Sequence, residues 1–483
     1  MNDPATPPSS PPKRHVVVIG GGVSGLSAAY RLVEIAPELQ VTLLESRDRL
    51  GGTINTLHAD GFLIEESADN YLTQPSTVLD LADRLGMRDE LISTNPAHRK
   101  AFVVFRGKMY PVPPGFTLMA PGKLWPILTT PLLSWRGKLR LAWERFVPTR
   151  GENEAEESLT QFATRRLGSE VFERIVQPLV AGIYSADPDK LSVAATLPRF
   201  IEMEQGHGSL TRGAAAKARQ RQQAGSGEES GARYGMFVTP RAGGSTLINA
   251  MASRLPEDAV RLAAQVESVE KTDTGWRLRL DGDQVAIECD GLIVATAAHP
   301  AARLLDAVDP AASGLLGGIP HASCSIVCLG YPEEQLSRPL EGSGVVVPEA
   351  EGRPILAASF SSNKFPDRAP SGHALIRVFI GGAKQGDLVD LPDEELIRIA
   401  REQLADLVGV QGEPVKAIVV RWRAAMPQYH LGHREIVAQI EGHIAEHDGL
   451  EIANNALRGV GVPQCIAEGE RAAEAILDSL NVL

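Results

Sequence analysis

Near its start the chain carries an uninterrupted apolar run, His15-Val-Val-Val-Ile-Gly20, with no polar alternation, which predicts a strand buried on both faces. A glycine turn and an apolar-periodic stretch from Ser24 to Ile35 predict a helix, and Val41-Thr-Leu-Leu-Glu45 predicts a second buried strand. Strand, turn, helix and strand in this order open a parallel sheet. Ser158 to Pro178 has helical spacing, whereas Gly206 to Tyr234, rich in Gly, Ala, Gln, Arg and Ser, predicts an exposed mobile loop. Sheet texture returns at Trp276–Leu280, Gly291–Thr296 and from Cys324 to Ile380, and Leu391 to Leu407 is helical by spacing. The end repeats the opening: a strand near Ile452, a glycine-rich turn and a helix from Pro463 to Leu480. No internal repeat is present. Residues 1–13 are Pro/Ser-rich and predict a disordered tail that lacks the apolar stretch of a signal peptide.

The 483 residues, at about 150 per domain, predict two or three domains. A 43% hydrophobic and 22% charged composition excludes wholesale disorder. The net charge of −12 argues against nucleic acid as a partner, and no apolar run reaches the ~18 residues of a membrane span, so a cytoplasmic location is expected. One stretch departs from this balance. Residues 99–150 hold ten Lys/Arg and one acid, Glu144, together with Trp125, Trp135 and Trp143, three of the five tryptophans. They form either a solvated basic helix pair or a surface for anionic headgroups or a polyanionic substrate, so peripheral membrane contact is an open expectation. The four cysteines, Cys289, Cys324, Cys328 and Cys465, read as free thiols, and no spacing completes a metal site.

The chemistry lies in the glycines. Gly20-Gly21-Gly22-Val23-Ser24-Gly25 fits G-x-G-x-x-G between strand and helix. Gly20 allows the tight turn, Gly22 lets backbone approach a pyrophosphate, Gly25 lets helix and strand pack, and the helix N-terminus draws the phosphates. Glu45 ends the second strand twenty residues after Gly25, where a ribose hydroxyl needs an acceptor. Arg49-Leu-Gly51-Gly52-Thr53 follows, an Arg and a double glycine of the kind seen in flavoproteins similar to glutathione reductase and the amine oxidases. Arg49 is placed to pair with phosphate, and this second turn moves the expected cofactor from NAD to FAD. In Gly459-Val460-Gly461-Val462-Pro463 a proline follows a glycine turn and starts a helix, and the similarity to those flavoproteins implies that its positive end faces the flavin ring.

Over His15 to Leu480 the chain resembles the porphyrinogen oxidases of haem synthesis. The resemblance is carried by Gly61-Phe-Leu-Ile-Glu-Glu-Ser-Ala-Asp-Asn70, Pro178-Leu-Val-Ala-Gly-Ile-Tyr-Ser-Ala-Asp187, Arg421-Trp-Arg-Ala-Ala-Met-Pro-Gln-Tyr-His430 and Gly459-Val-Gly-Val-Pro-Gln-Cys-Ile466. It implies FAD contacts at Gly20 to Gly25, Glu45, Ser46, Thr53, Ser67, Ala68, Asp69, Asn70, Val266, Trp422, Val460, Gly461 and Val462. It also implies a pocket lined by Ala181, Gly182, Ile183 and Tyr184. Ser67-Ala68 stands where relatives carry Gly-Pro. Asp69 is the one ionisable group placed by the reacting carbon, and its other reading is a turn-forming Asp; His430 reads as structural.

The implied reaction removes six electrons and six protons from a tetrapyrrole in three flavin turns, with oxygen as acceptor and hydrogen peroxide as product. Protoporphyrinogen-specific relatives place an Arg about a dozen residues before the proline matching Pro113; here an ungapped count reaches Ala101, with Arg99 and Lys100 out of register as candidate propionate partners. That absence favours coproporphyrinogen III over protoporphyrinogen IX. The rival readings are a flavin amine oxidase and a non-catalytic escort protein of the same fold. Ferrochelatase or another haem-pathway enzyme is the candidate protein partner.

The expected fold is α/β: a discontinuous, Rossmann-like FAD-binding domain (residues 14–95, 235–308 and 430–483), a mixed-sheet substrate domain (96–112 and 309–429) and a helical, basic insertion (113–234).

Overall fold

The structure is a computed structural model that describes residues 14–122, 124–151, 154–223 and 237–482. The opening apolar run forms the strand His15–Ile19, with Val16, Val17 and Val18 fully buried, as a run without alternation requires. It is the middle of a five-stranded parallel sheet in the order Val260–Arg261, Gln40–Leu44, His15–Ile19, Gly291–Val294, Leu450–Ile452. The helix Val23–Ile35 packs against the last helix, Val462–Ser479. Gly469 permits that approach, since a Cβ there would stand 2.1 Å from the Ser24 carbonyl oxygen. The first and last turns of the chain are thereby brought to one edge of the sheet. An antiparallel trio, Val266–Thr272, Gly275–Leu280 and Ile287–Cys289, buries Trp276 beside it.

The second sheet has seven strands in the order Lys416–Pro427, His321–Pro332, His373–Gly381, Ala357–Phe360, Gly344–Val346, Ala101–Phe105, Lys108–Pro111. Its described pairs are antiparallel except Gly344–Val346 with Ala101–Phe105. Cys324 and Cys328 lie in its second strand as free thiols, and no metal-binding cluster occurs among the described residues.

The helical part corrects two expectations. The stretch that should end at Pro178 breaks earlier, at Gly168 after the capped helix Leu159–Leu167. It resumes at Ser169 and runs through Ser169–Val171, a π-helical turn Phe172–Val176 and Gln177–Tyr184, so Pro178 lies within helical backbone just after the π turn. The loop expected from Gly206 contains a helix instead, Leu210–Gln223; residues 224–236 lie outside the described residues. Its Ala, Lys, Arg and Gln are strong helix formers, so low complexity misled the loop reading. The helix start is held by Glu144, the one acid of the basic stretch. Its carboxylate accepts from Ser209 Oγ (2.5 Å), Leu210 N (2.8 Å) and Thr211 N (3.2 Å) and pairs with the buried Arg166. Burial alone would raise its pKa, but these bonds and the Arg166 charge hold it below the usual carboxylate range.

Glu144 belongs to a helix and following turn, Trp135–Ala142 and Trp143–Phe146, whose faces differ in kind. Gly137, Leu141 and Glu144 point inward and are buried, whereas Trp135, Leu139, Trp143 and Phe146 are exposed at helical spacing, Trp135 by 75% and Trp143 by 61%. The preceding helix, Leu124–Thr129, exposes Trp125 and Leu128. No helix among the described residues is long and apolar enough to cross a membrane.

Candidate flavin site

Two glycine turns touch at the end of the central strand. Gly20 takes φ +108°, and a Cβ there would meet the Ala295 carbonyl oxygen at 2.8 Å. Gly21 N donates to Glu45 Oε2 (2.7 Å), so the second strand's terminal acid fixes the first turn. Glu45 also accepts from Arg47 N (2.8 Å) and Ser46 Oγ (3.3 Å), and its remaining lone pairs can still take a ribose hydroxyl. The second turn arrives through Gly51 N donating to Gly21 O (2.8 Å), and a Cβ on Gly52 would lie 3.1 Å from Gly22 Cα. A Cβ on Gly22 itself would meet nothing within 4 Å. Protein atoms crowd Gly20, Gly21, Gly51 and Gly52 and leave Gly22 open at a helix N-terminus, which fits a passing pyrophosphate. Thr53 is exposed at the rim, and Val266 is buried in the strand that follows the Ala264 N bond to the Glu45 carbonyl.

Arg49 bonds protein groups on both sides of the second glycine turn. Its Nη1 donates to the carbonyls of Leu50 (3.2 Å) and Ile54 (3.3 Å) and its Nη2 lies 4.0 Å from Glu66, so it ties the second glycine turn to the Ser67–Asn70 turn. That turn is also held by Trp422 Nε1 donating to Glu66 O (2.7 Å), by Asn55 Nδ2 donating to Glu66 Oε2 (3.0 Å) and by Arg377 Nη2 donating to Ser67 O. Ala68 is exposed. Ser67 Oγ is shielded yet has no protein hydrogen-bond partner, as suits a hydroxyl facing a cofactor.

Asp69 is an ion-paired carboxylate. Lys364 Nζ donates to both of its oxygens (2.9 and 2.7 Å), Arg377 Nη1 lies 3.1 Å away and Asn70 Nδ2 donates at 2.6 Å. Burial works to raise its pKa, but the Lys364 and Arg377 charges outweigh it and bring the value down to about 2. Lys364 and Arg377 were not anticipated. Their signal was available for Arg377, a lone cation in the apolar strand Ala374-Leu-Ile-Arg-Val-Phe-Ile380, which must find an anion when buried.

The opposite wall is the Gly459–Val462 turn. Gly459 N donates to Tyr429 Oη (2.8 Å), which itself donates to Asn455 O (2.5 Å), and the Tyr429 ring stacks on His433 at 4.0 Å. Gly461 precedes the first turn of Val462–Ser479, with Pro463 inside it, and Val460 and Gly461 are half-buried. His430 lies at a bridge to Leu191, a structural place.

The substrate candidates converge on one strand. Gly182, near the end of Gln177–Tyr184, faces Val346, 3.5 Å from where its Cβ would be. Arg99 and Lys100 lead into Ala101–Phe105, which pairs with Gly344–Val346. Ala181 is buried and Ile183 exposed. Tyr184 Oη donates to Thr196 O (3.0 Å), and burial raises its pKa to about 12. Lys100 is exposed, and Arg99 is half-buried with an Nε that has no hydrogen-bond partner.

A sheet of this topology with a double glycine cradle defines an FAD-dependent oxidoreductase. The chain belongs to the flavin containing amine oxidoreductase family, which matches residues 23–477. It is 34% identical over 477 residues to coproporphyrinogen III oxidase of Bacillus subtilis (strain 168), covering 98% of this chain and 99% of that one, and within the family it belongs with the porphyrinogen oxidases. The chloroplastic protoporphyrinogen oxidase of Nicotiana tabacum is 28% identical, covering 96% of this chain and 86% of that one. A crystal structure from Exiguobacterium sp. 255-15 superposes with a TM-score of 0.85 at 28% identity, covering 97% and 99% of the two chains. The cofactor is FAD.

Two outcomes follow from this geometry. Gly22→Val should leave the apoprotein's thermal unfolding unchanged and weaken FAD binding about tenfold or more. Gly25→Ala, whose Cβ would lie 1.9 Å from Gly20 O, should destabilise the fold by about 3 kcal/mol. Calorimetry and FAD titration separate the two. For Asp69, a pKa held below its unfolded value of 3.8 adds stability above that value, which is lost as pH falls through about 2. The stability difference between the protein and Asp69→Asn should therefore be flat from pH 7 to 5 and shrink by about 2 kcal/mol by pH 2, measured by urea unfolding.

Proposed function

We propose that the protein oxidises a porphyrinogen to the porphyrin, with coproporphyrinogen III preferred and oxygen as acceptor. The observation that carries this reading is the full-length identity of 34% to a coproporphyrinogen III oxidase, against 28% for a protoporphyrinogen oxidase. FAD held by Gly20 to Gly25 and Gly51-Gly52 would supply the hydride acceptor for the macrocycle, with oxygen as the final acceptor and hydrogen peroxide as the reduced product. The protein's part is placement. Gly20 to Gly25 and Gly51-Gly52 seat the dinucleotide, while the Ser67–Asn70 turn and the Val460–Val462 helix start flank the way out of that cradle. Substrate enters beside Gly344–Val346, where Arg99 and Lys100 offer cations to propionates and Ala181 to Tyr184 offer an apolar wall. Asp69, ionised and clamped, serves as a positioning anion; a carboxylate with a pKa of about 2 is a poor proton acceptor at neutral pH.

The protein also rests on anionic membrane surfaces through residues 124–146. The only acid there, Glu144, is turned inward. The outward side carries Trp125, Leu128, Trp135, Leu139, Trp143 and Phe146 with the exposed Arg136 and Arg145, and Lys138 lies over the Trp135 ring at 5.4 Å. Tryptophan among Lys/Arg suits a headgroup region. A second copy of the chain would bring like charges together.

With purified protein in air, porphyrin fluorescence should rise faster from coproporphyrinogen III than from protoporphyrinogen IX, and Arg99→Ala should raise KM about tenfold. Fluorescence from neither, with FAD bound, contradicts the proposal. In flotation assays the protein should rise with vesicles containing phosphatidylglycerol and not with phosphatidylcholine alone, and Trp135→Ser with Trp143→Ser should cut binding about tenfold. Failure to float with either lipid overturns the membrane contact.

A further inference from the structure

The cluster around Asp69 holds more positive than negative charge, and it is shielded. Lys364, Arg368, Arg377 and Arg49 face Glu65, Glu66 and Asp69, with Arg368 and Arg377 among the largest fully buried side chains. Glu65 is occupied by Gly244 N (2.9 Å) and Thr56 Oγ1 (3.0 Å), Glu66 by Arg49 and Asn55, and Arg368 by the carbonyls of Arg241 (2.8 Å) and Pro240 (3.2 Å). The Asp69 carboxylate is left to hold two cations at once, Lys364 and Arg377. A carboxylate that only needed neutralising would require one, and burying a second cation costs free energy unless its charge is used.

Lys364 stands at a junction. Its ammonium is fixed by Asp69 and lies 3.3 Å from Ser359 Oγ, and its carbonyl accepts from Asn95 N (2.8 Å), just ahead of Arg99. Its neighbour Asn363 donates to the carbonyls of Leu340 (2.8 Å) and Gly342 (3.1 Å). Through Asp69 the lysine reaches the Ser67–Asn70 turn, which Arg49 and Asn55 tie to the second glycine turn and Trp422 ties to the second sheet. The Ser67–Asn70 turn and the segment leading to Arg99 thus both bond to Lys364, the first through its ammonium and the second through its carbonyl.

We infer that Lys364 is an electrostatic positioning residue: Asp69 clamps its ammonium beside the flavin turn so that bound FAD is a better electron acceptor. Positive charge near a flavin favours the extra electron density of its reduced form, as a helix N-terminus does. Arg377, bonded to Ser67 O and paired with Asp69, backs the same turn.

The test uses holoenzyme and needs no porphyrinogen, so its failure is distinct from a failure of the proposed activity. Sulfite binds oxidised flavins in proportion to their electron affinity and bleaches their visible absorbance. Lys364→Met should weaken sulfite binding about tenfold, since one charge is removed at short range, while FAD content stays at parent level. Lys364→Arg should restore the affinity. Asp69→Asn removes a negative charge and should leave sulfite binding as tight or tighter, even where turnover falls. If Lys364→Met does not hold FAD, Lys364→Gln, which keeps a hydrogen bond to Asp69 without the charge, gives the same reading. Sulfite affinity within twofold of the parent in the charge-removing lysine variant overturns the inference. So does equal weakening by Asp69→Asn, because the shape of the turn rather than its charge would then be what matters.

Discussion

The site depends on one close approach of backbone to backbone. Gly52 meets Gly22 where any side chain on Gly52 would press on Gly22 Cα at 3.1 Å, and Gly51 N bonds Gly21 O at 2.8 Å. This contact leaves a surface of bare backbone beside the start of the first helix, where N–H groups and the helix dipole favour phosphate. The packing of that helix on the last one, through Gly469 against Ser24 O, then brings the Val460–Val462 turn to the same place. Remove the glycine contact and the cradle, the flavin turn and the last helix lose their common reference.

Much of this was legible because it rests on short-range rules. A glycine forced to positive φ or close backbone contact leaves a mark in sequence, and so does an apolar strand without alternation, so the turns at Gly20 and Gly51 and the central strand could be read directly. The Leu210–Gln223 helix could not, because its start is held by Glu144, distant in sequence, and its low complexity resembled a linker. For Arg49 the sequence shows a charge but not the carbonyls and Glu66 that surround it. No local pattern links Asp69 to its partners, Arg377 on a strand of the second sheet and Lys364 at the end of the short helix Ser361–Lys364.

The charges sort by place more than by number. The whole chain is acidic, yet cations collect at two points: buried around Asp69, and exposed on the helices that carry the outward tryptophans. The first set is fixed by bonds and shielded from salt, so its field acts locally on whatever occupies the cradle. The second set is solvated and acts only at a surface that brings its own negative charge. Glu144 turns inward, which leaves the outer face of its helix and turn without an acid.

Electrons leave a porphyrinogen for FAD held in the glycine cradle. An anaerobic stopped-flow experiment tests it most directly, mixing oxidised holoenzyme with coproporphyrinogen III and following flavin absorbance. The flavin should bleach in the absence of oxygen and recover when air is admitted. Flavin that stays oxidised with coproporphyrinogen III and protoporphyrinogen IX alike would contradict it.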